Sequence, residues 1–236
     1  MSGTWIILLL TMCYNDRIII SCGRRFFKII LRKSIGSTCA WEQRKVGTFA
    51  SVLSASRVHK DEWRTEGVPF YRSSDVVSAF KGNDNERAFI STELYEELIK
   101  SSGRLEKGDI LITGGGSIGI PYIVPNNEPL YSKDADLIWI KKSAEHDSQY
   151  LYAYFTSQGF REYISSISHV GTIAHYTIEQ VKDTPVLLPS VAEQSAIGLF
   201  FSQLDTLITL HQREESCATF FSFRLPMSKG FLLGTA

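Results

Sequence analysis

The chain has 236 residues, of which 44% are hydrophobic and 21% charged, enough for one large domain, or one domain with appendages, around a real core. Its 25 basic and 25 acidic residues give a formal net charge of zero, so overall charge gives no support to general nucleic-acid binding, which usually brings a basic excess. The four cysteines show no C-x-x-C or zinc-like spacing, which argues against a disulfide framework or a metal site and suits reduced thiols in a cytoplasm.

Residues 1–38 form the least coherent part of the sequence. Short apolar runs at Trp5 to Leu10, Ile18 to Ile20 and Phe26 to Leu31 are too short to span a bilayer, which takes roughly 20 residues. The basic cluster follows the first apolar run, whereas a signal peptide has its basic residues before that run. We therefore expect a leader that is non-native or disordered, with a membrane-surface anchor as the alternative.

Residues 39–189 predict a compact α+β domain, because short strands are interleaved with helices and with glycine-containing loops. A helix that begins at Ser91 or Thr92 and runs to about Lys100, with Gly103 as its C-terminal stop, has the clearest end signals. The other predicted elements are a short helix or turn at 42–50, a strand meeting a loop at 69–76, a turn at 107–109, strands at 110–113, 122–124, 137–140 and 185–188, helices at 148–157 and 160–167, and a short turn at 178–182.

The segment from Pro189 to Arg213 is the one whose helix signals all agree. Ser190 and Glu193 form a capping box, in which the hydroxyl accepts a backbone N–H and the carboxylate returns to the N–H of Ser190. Gln194 and Gln203 fall on the wetter side. Apolar residues recur at steps of three and four, which fits both an amphipathic helix that closes its own core and one arm of a helix pair. These apolar residues are Ile197, Phe200, Phe201, Leu204, Leu207 and Ile208.

The helical pattern stops after Arg213. Pro226 and Gly230 oppose a long helix in the residues that follow. We therefore expect residues 214–236 to form an atypical tail.

The glycines at 114, 116 and 119 satisfy the dinucleotide motif G-x-G-x-x-G, but a strand rather than a helix is predicted to follow them. Nucleotide binding requires that helix, whose N-terminus faces the pyrophosphate. The loop is therefore either a plain hairpin or a place where another molecule approaches the backbone closely. Asp134 and Asp136 make a weak carboxylate pair, and no nucleophile motif is present, so we expect no catalysis by this chain.

Three stretches resemble the specificity subunits of type I restriction–modification enzymes. They are WEQRK at 41–45, GDILITGGGSIG at 108–119, and LPSVAEQSAI with FFSQLDTLITLHQR at 188–197 and 200–213. The three occur in the family's order and spacing. Together they cover about Trp41 to Arg213.

This resemblance implies a target-recognition domain at 39–189 and a conserved spacer helix, a coiled-coil arm, at 190–213. It implies a non-catalytic cytoplasmic protein that binds one half of a bipartite site in double-stranded DNA. The implied partners are modification methyltransferase subunits, a restriction subunit reached through the complex, and a second copy of this chain in a homodimer. S-adenosylmethionine, ATP and magnesium are expected in the partner subunits and not in this chain.

Both ends depart from the family pattern, which suggests a chain truncated or frameshifted at 1–38 and 214–236. Two alternatives follow. One is a non-functional fragment of such a gene. The other is a stand-alone nuclease or methyltransferase, which the missing motifs disfavour.

The resemblance places the glycine loop and the loop at 171–177 near DNA, though not residue by residue. Arg72 is the first choice among the basic residues, because arginine binds guanine or phosphate in a bidentate manner. As an alternative, His175 and Tyr176 simply pack at the domain edge. The predicted DNA-binding residues are Arg72, Ser73, Thr113, Gly115, Ser117, Thr172, His175 and Tyr176. The predicted partner-helix interface is Ile197, Phe201, Leu204, Leu207, Ile208 and His211. No metal site is expected.

Overall fold

The computed structural model of the protein describes residues 41–132, 136–167 and 175–222, the last eleven as backbone alone. The predicted leader at 1–38 lies outside the described residues, as does the tail beyond Ser222. The described residues combine short strands with helices and form an α+β fold, as predicted.

A four-stranded sheet lies at the centre of the domain. Its strands stand in the order β2 (Val52–Ser54), β8 (Leu137–Ile140), β5 (Ile110–Thr113) and β6 (Pro121–Ile123), with antiparallel neighbours throughout. Ile110 pairs with Ile140 and Thr113 with Leu137, so the residues that follow Thr113 leave one end of the sheet and those that follow Ile140 leave the other.

The central sheet is buried on both faces. Ile110 and Ile112 of β5 belong to one core, whereas Leu111 belongs to a second core with Trp139 of β8. Side chains alternate between the faces of a strand, so burial on both faces requires an unbroken apolar run. This is why β5 and β8 have the ranges that the sequence predicts.

Helices cover the two faces of the central sheet. On the first core lie α3 (Ser148–Phe155), α4 (Gln158–Ile167), α5 (Ile178–Asp183) and the start of α6 (Val191–Ser222). On the second core lies α1 (Ser73–Phe80), which contributes Val76.

A smaller three-stranded sheet stands beside this core, in the order β4 (Ala88–Ile90), β3 (Val68–Tyr71) and β7 (Tyr131–Ser132). The helix α2 (Thr92–Ser102) packs on it. Ser91 caps α2 by accepting the backbone N–H of Leu94 at 3.2 Å, and Gly103 ends it with a positive φ of 84°. Both end signals predicted for this helix are confirmed.

The two ends of the domain meet in a two-stranded sheet of β1 (Glu42–Lys45) and β9 (Pro185–Leu188). The predicted helix or turn at 42–50 is thus wrong for its first residues. A strand forms there, and a short 3-10 turn at Val46–Thr48 follows it. Since all four residues of β1 are polar, only the distant partner β9 makes this segment a strand.

Three further elements differ from the sequence-based expectation. The predicted loop after β3 is the helix α1, and the turn predicted at 178–182 is the helix α5, capped by Thr177 and Gln180. The break between α3 and α4 comes before Gly159, which lies inside α4.

The helix α6 continues to Ser222, nine residues beyond Arg213, so the predicted helix end at Arg213 is wrong for the backbone. The reason is that proline and glycine are absent between Glu214 and Ser222. Within the part of the chain that the structure describes, none of the helices combines the length and apolarity that a membrane crossing needs.

Candidate functional site

The glycine loop, residues 114–119, is a hairpin that connects β5 to β6. Its base is fixed by Thr113, whose buried hydroxyl accepts the N–H of Ile120 at 2.9 Å and donates to the carbonyl of Ser117. Gly119 has a φ of 77°, and a Cβ there would lie 3.0 Å from the ring of Phe160. A strand follows the loop, as predicted, so the helix that a dinucleotide site requires is not at this position.

Asp136 links the glycine loop to the beginning of α1. Its carbonyl oxygen accepts the hydroxyl of Ser73 at 2.9 Å and the N–H of Gly114 at 2.8 Å. The carbonyl of Gly114 in turn accepts the N–H of Tyr176 at 2.8 Å. Three segments that are far apart in sequence, and that all carry predicted DNA-binding residues, therefore meet at one end of the central sheet.

The exposed part of this meeting point is the loop tip. Gly116 and Ser117 are exposed, and a Cβ at Gly116 would find no atom within 4 Å, so another molecule has room to approach the backbone. Gly115 lies deeper, where a Cβ would be 3.1 Å from Oδ1 of Asp136 and 3.8 Å from Nδ1 of His175. His175 is itself exposed. We call the exposed Gly116, Ser117 and His175, together with the half-buried Ser73, the loop-end surface.

Two of the predicted DNA-binding residues lie below this surface. The side chain of Tyr176 is only 1% exposed, and its hydroxyl bonds to that of Thr184. Burial raises the pKa of Tyr176 above its usual value. Thr113 is buried as well. These side chains hold the loop in place and do not reach solvent. Thr172, a further predicted residue, lies outside the described residues.

Arg72, the first choice among the basic residues, makes several contacts within the domain. Its guanidinium forms an ion pair with Asp75, with Nε 2.9 Å from Oδ2 and Nη2 3.1 Å from Oδ1. Nη2 also donates to the carbonyl of Glu86, and the group lies 5.6 Å from the ring of Trp63. The hydrogen bond to Asp75 is the main cause that raises the pKa of Arg72. Arg72 therefore fastens α1 to the residues before β4, and its Nε and Nη2 donors are in use within the domain.

A second functional region is the place where α6 leaves the domain. The side-chain oxygen of Gln194 accepts the N–H of Asp147 at 3.0 Å, and its NH2 group donates to the carbonyls of Pro189 at 3.0 Å and Glu145 at 3.3 Å. Gln194 is 1% exposed, so its predicted place on the wetter side is wrong. Its partners at 145–147 lie far away in sequence, so periodicity gives no sign of them.

Two further residues of α6 complete this joint, which we define as Gln194, Ser195 and Gly198 of α6 with residues 145–150. The hydroxyl of Ser195 donates to Asp147 Oδ2 at 3.1 Å. At Gly198 a Cβ would lie 2.7 Å from both Asp147 Oδ1 and Tyr150 N. Alongside, Glu193 accepts the indole N–H of Trp41 at 3.1 Å, and the N–H of Glu193 donates to the hydroxyl of Ser190 at 3.4 Å.

The predicted partner-helix residues fall into two environments. Ile197 is 4% exposed and belongs to the core of its own domain. By contrast, Leu207 is 60% exposed and Ile208 49%, while Leu204 is half-buried. Phe201 and His211 are exposed too. The structure also exposes apolar side chains outside the predicted set, at Leu199, Phe200 and Leu210. We call residues 199–211 the outer helix.

Within the described ranges, no group of three or more histidine, cysteine, aspartate or glutamate residues is arranged to hold a metal ion. Asp134, one of the two carboxylates considered from the sequence, lies outside them.

Comparison with known proteins gives consistent matches. The model of the family "Type I restriction modification DNA specificity domain" matches residues 40–216. A Haemophilus influenzae protein named as a type I restriction enzyme specificity subunit is 27% identical over 165 residues, which are 69% of this chain and 40% of that protein.

Solved structures give the same fold. A chain from a study of complex assembly and conformational transition in a type I R-M system matches with a TM-score of 0.57 and 14% identity, over 90% of this chain and 53% of that one. The HsdS subunit from Thermoanaerobacter tengcongensis matches with a TM-score of 0.53 and 13% identity, over 89% and 50%. The S subunit of a type I system from M. genitalium matches with a TM-score of 0.52 and 16% identity, over 87% and 47%. The chain thus spans about half the length of these proteins, or less.

Proposed function

The chain belongs to the family of type I restriction modification DNA specificity domains, and we propose that it recognises one half of a bipartite DNA site and docks a modification methyltransferase subunit. In this proposal the chain is not itself a catalyst. S-adenosylmethionine, ATP and magnesium would be bound by the partner subunits, and a restriction subunit would join through the complex. A second copy of the chain, paired through α6, would bind the other half of the DNA site.

The observation that carries the DNA part of this proposal is the convergence at Asp136. Three segments contribute hydroxyl, backbone and imidazole groups to the loop-end surface, and these are the groups with which proteins contact phosphates and base edges. The buried anchors beneath them, Thr113 and Tyr176, hold the surface in one shape. A rigid surface is well suited to read the sequence-dependent shape of DNA as well as its base edges.

The outer helix supports the docking part. It exposes six large apolar side chains over residues 199–211, and apolar surface of this kind marks protein interfaces. The exposed residues lie on more than one side of the helix, so covering all of them takes more than one neighbour. A methyltransferase subunit and a second α6 would together provide that cover.

The test is to coexpress the chain with a modification subunit and to map methylated bases across the host genome. We expect methylation at a split or palindromic motif. Soluble complex with no methylation at any motif would contradict the proposal.

A charge placed on the loop-end surface tests the DNA contact. Ser117→Asp should reduce methylation about tenfold or more, because it sets a carboxylate against the phosphates. The matched control is Asn126→Asp, which adds the same charge in the turn after β6, at the opposite end of the sheet. Equal loss in both variants would show that the loop-end surface has no special role.

A charge on the outer helix tests the docking. The double change of Leu204 and Leu207 to Asp should abolish association with the methyltransferase subunit, measured by copurification. Thr209→Asp adds a charge at an exposed position on the polar side of the same helix, the side of Ser202 and Asp205, and should leave association intact. Unchanged association of the double variant would contradict the docking proposal.

A further inference from the structure

The joint at the start of α6 has more fixed contacts than a helix needs in order to begin. A cap at Ser190 satisfies one of the first N–H groups of the helix, and water can satisfy the others. Here the next two turns are bound as well, by the side chain of Gln194, by the hydroxyl of Ser195 and by the close approach at Gly198. All three contacts involve Asp147 or its neighbours, at the beginning of α3.

We propose that this joint sets the direction in which α6 leaves the recognition domain, with Gln194 and Gly198 as positioning residues. Gln194 connects the segment before α3 to the segment before α6. Its side-chain oxygen accepts the N–H of residue 147, while its NH2 group donates to the carbonyls of residues 145 and 189. A buried amide with both ends bonded holds one orientation, since any rotation leaves a donor or acceptor unpaired.

Gly198 fixes the angle at the next turn. A Cβ at this position would meet Asp147 Oδ1 and Tyr150 N at 2.7 Å and Gln149 Cβ at 2.8 Å, so α6 lies against the start of α3 at a distance only glycine allows. Gln194 and Gly198 are one helical turn apart and thus constrain the same face of α6 at two points. Two fixed points determine the direction of a helix, whereas one point leaves it free to pivot.

The size of the effect follows from helix geometry. Relieving the contact at Gly198 requires a shift of about 0.7 Å, at a point about 6 Å from Gln194 along the axis. A helix pivoting at Gln194 by that angle moves about 3 Å at Thr209, which lies about 22 Å along. This displacement is close to the rise of one base pair, 3.4 Å.

The consequence for DNA rests on the proposed function. If α6 carries a partner that reads a second half-site, the joint fixes the distance between the two half-sites. A change at the joint would then shift the preferred spacer by about one base pair while the half-site sequence stays the same.

The experiment measures the direction of α6 without DNA or partner, so its outcome does not depend on the proposed function. Spin labels on unnatural amino acids replace Glu97 of α2 and Thr209 of α6 in the full chain, which leaves the native cysteines unlabelled. Pulsed electron paramagnetic resonance then gives the distribution of distances between the two spin labels. The protein with the native joint should give one narrow distribution. Gly198→Ala should move its mean by about 3 Å or widen it by a similar amount.

Thr206→Ala is the matched control, because it introduces the same residue at an exposed position of the same helix. It should leave the distribution unchanged. A Gly198→Ala protein with native helix content and an unchanged distribution would overturn the proposal.

Two milder variants keep the test decisive if Gly198→Ala is insoluble. Gln194→Glu replaces a donor with an acceptor opposite two carbonyls, and Ser195→Ala removes the exposed hydrogen bond to Asp147. Both should widen the distribution, Gln194→Glu more than Ser195→Ala. Distributions identical to that of the native joint in both variants would equally overturn the proposal.

Discussion

The first two turns of α6 and the outer helix belong to one continuous helix but lie in opposite environments. In the first turns Ile197 is buried in the domain core, Gln194 has all its polar atoms bonded, and Gly198 touches α3. In the outer helix Leu199, Leu207 and Leu210 are more than half exposed. A single apolar periodicity therefore serves two purposes, since it closes the core at one end of the helix and exposes an apolar surface at the other.

The largest expected difference between the two regions is in the cost of removing apolar side chains. Ile197→Ala should lower the free energy of unfolding by about 3 kcal/mol, because it leaves a cavity in the core. Leu207→Ala should change it by less than about 0.5 kcal/mol, because the side chain is already exposed. Denaturant unfolding of both variants measures the two values. Equal losses of unfolding free energy in the two variants would show that α6 is not divided into a buried first part and an exposed outer helix.

The glutamines of the two regions give a smaller contrast. Gln194→Ala should cost about 2 kcal/mol, since it leaves the half-buried N–H of Asp147 and two carbonyls without their partner. Gln203→Ala, at an exposed position, should be within about 0.5 kcal/mol of the native protein. The same unfolding measurement decides this. A cost at Gln203 as large as that at Gln194 would contradict the account.

Low pH should reduce the stability of the domain through His146, a buried residue of the joint. In the sequence it lies between two carboxylate residues, Glu145 and Asp147. Burial is the main cause that lowers the pKa of His146, although Asp147, Asp109 and Glu145 oppose it. Its Nδ1 lies 2.9 Å from the hydroxyl of Ser143, while Nε2 has no hydrogen-bond partner among the described residues. The folded state therefore favours the neutral imidazole.

The sign of the pH dependence follows from this lowered pKa. Below about pH 6.5 the unfolded chain binds a proton at His146 that the folded chain does not. The free energy of unfolding should fall as the pH drops through 6.5 and below, by at most about 1.4 kcal/mol per pH unit from this group. Unfolding midpoints between pH 7.5 and 5 measure the slope. His146→Gln should flatten it, and an unchanged slope in that variant would assign the dependence to other groups.

Much of the fold was predictable because the deciding information is local. The strands β5 and β8 are apolar runs bounded by turn residues, and α2 has Ser91 and Gly103 at its ends. The polar strand β1 was not predictable, because it depends on pairing with β9 about 140 residues away.

The candidate site was predictable only in part, for the same physical reason. The segments that meet at Asp136 could be named from the sequence, but the burial of Tyr176 depends on tertiary packing. The role of Gln194 depends on residues 145–147, which no periodicity reveals. The pairing of Arg72 with Asp75 had a local signal, since the two are three residues apart at the start of a helix.

Hydrogen exchange along α6, with and without a coexpressed modification subunit, is the most direct test of the division between joint and outer helix. Amides of residues 194–198 should be protected in the free chain and change little in the complex. Amides of residues 199–211 should exchange faster in the free chain and become protected in the complex. An outer helix whose exchange is unaffected by the subunit, while the joint changes, would contradict the account.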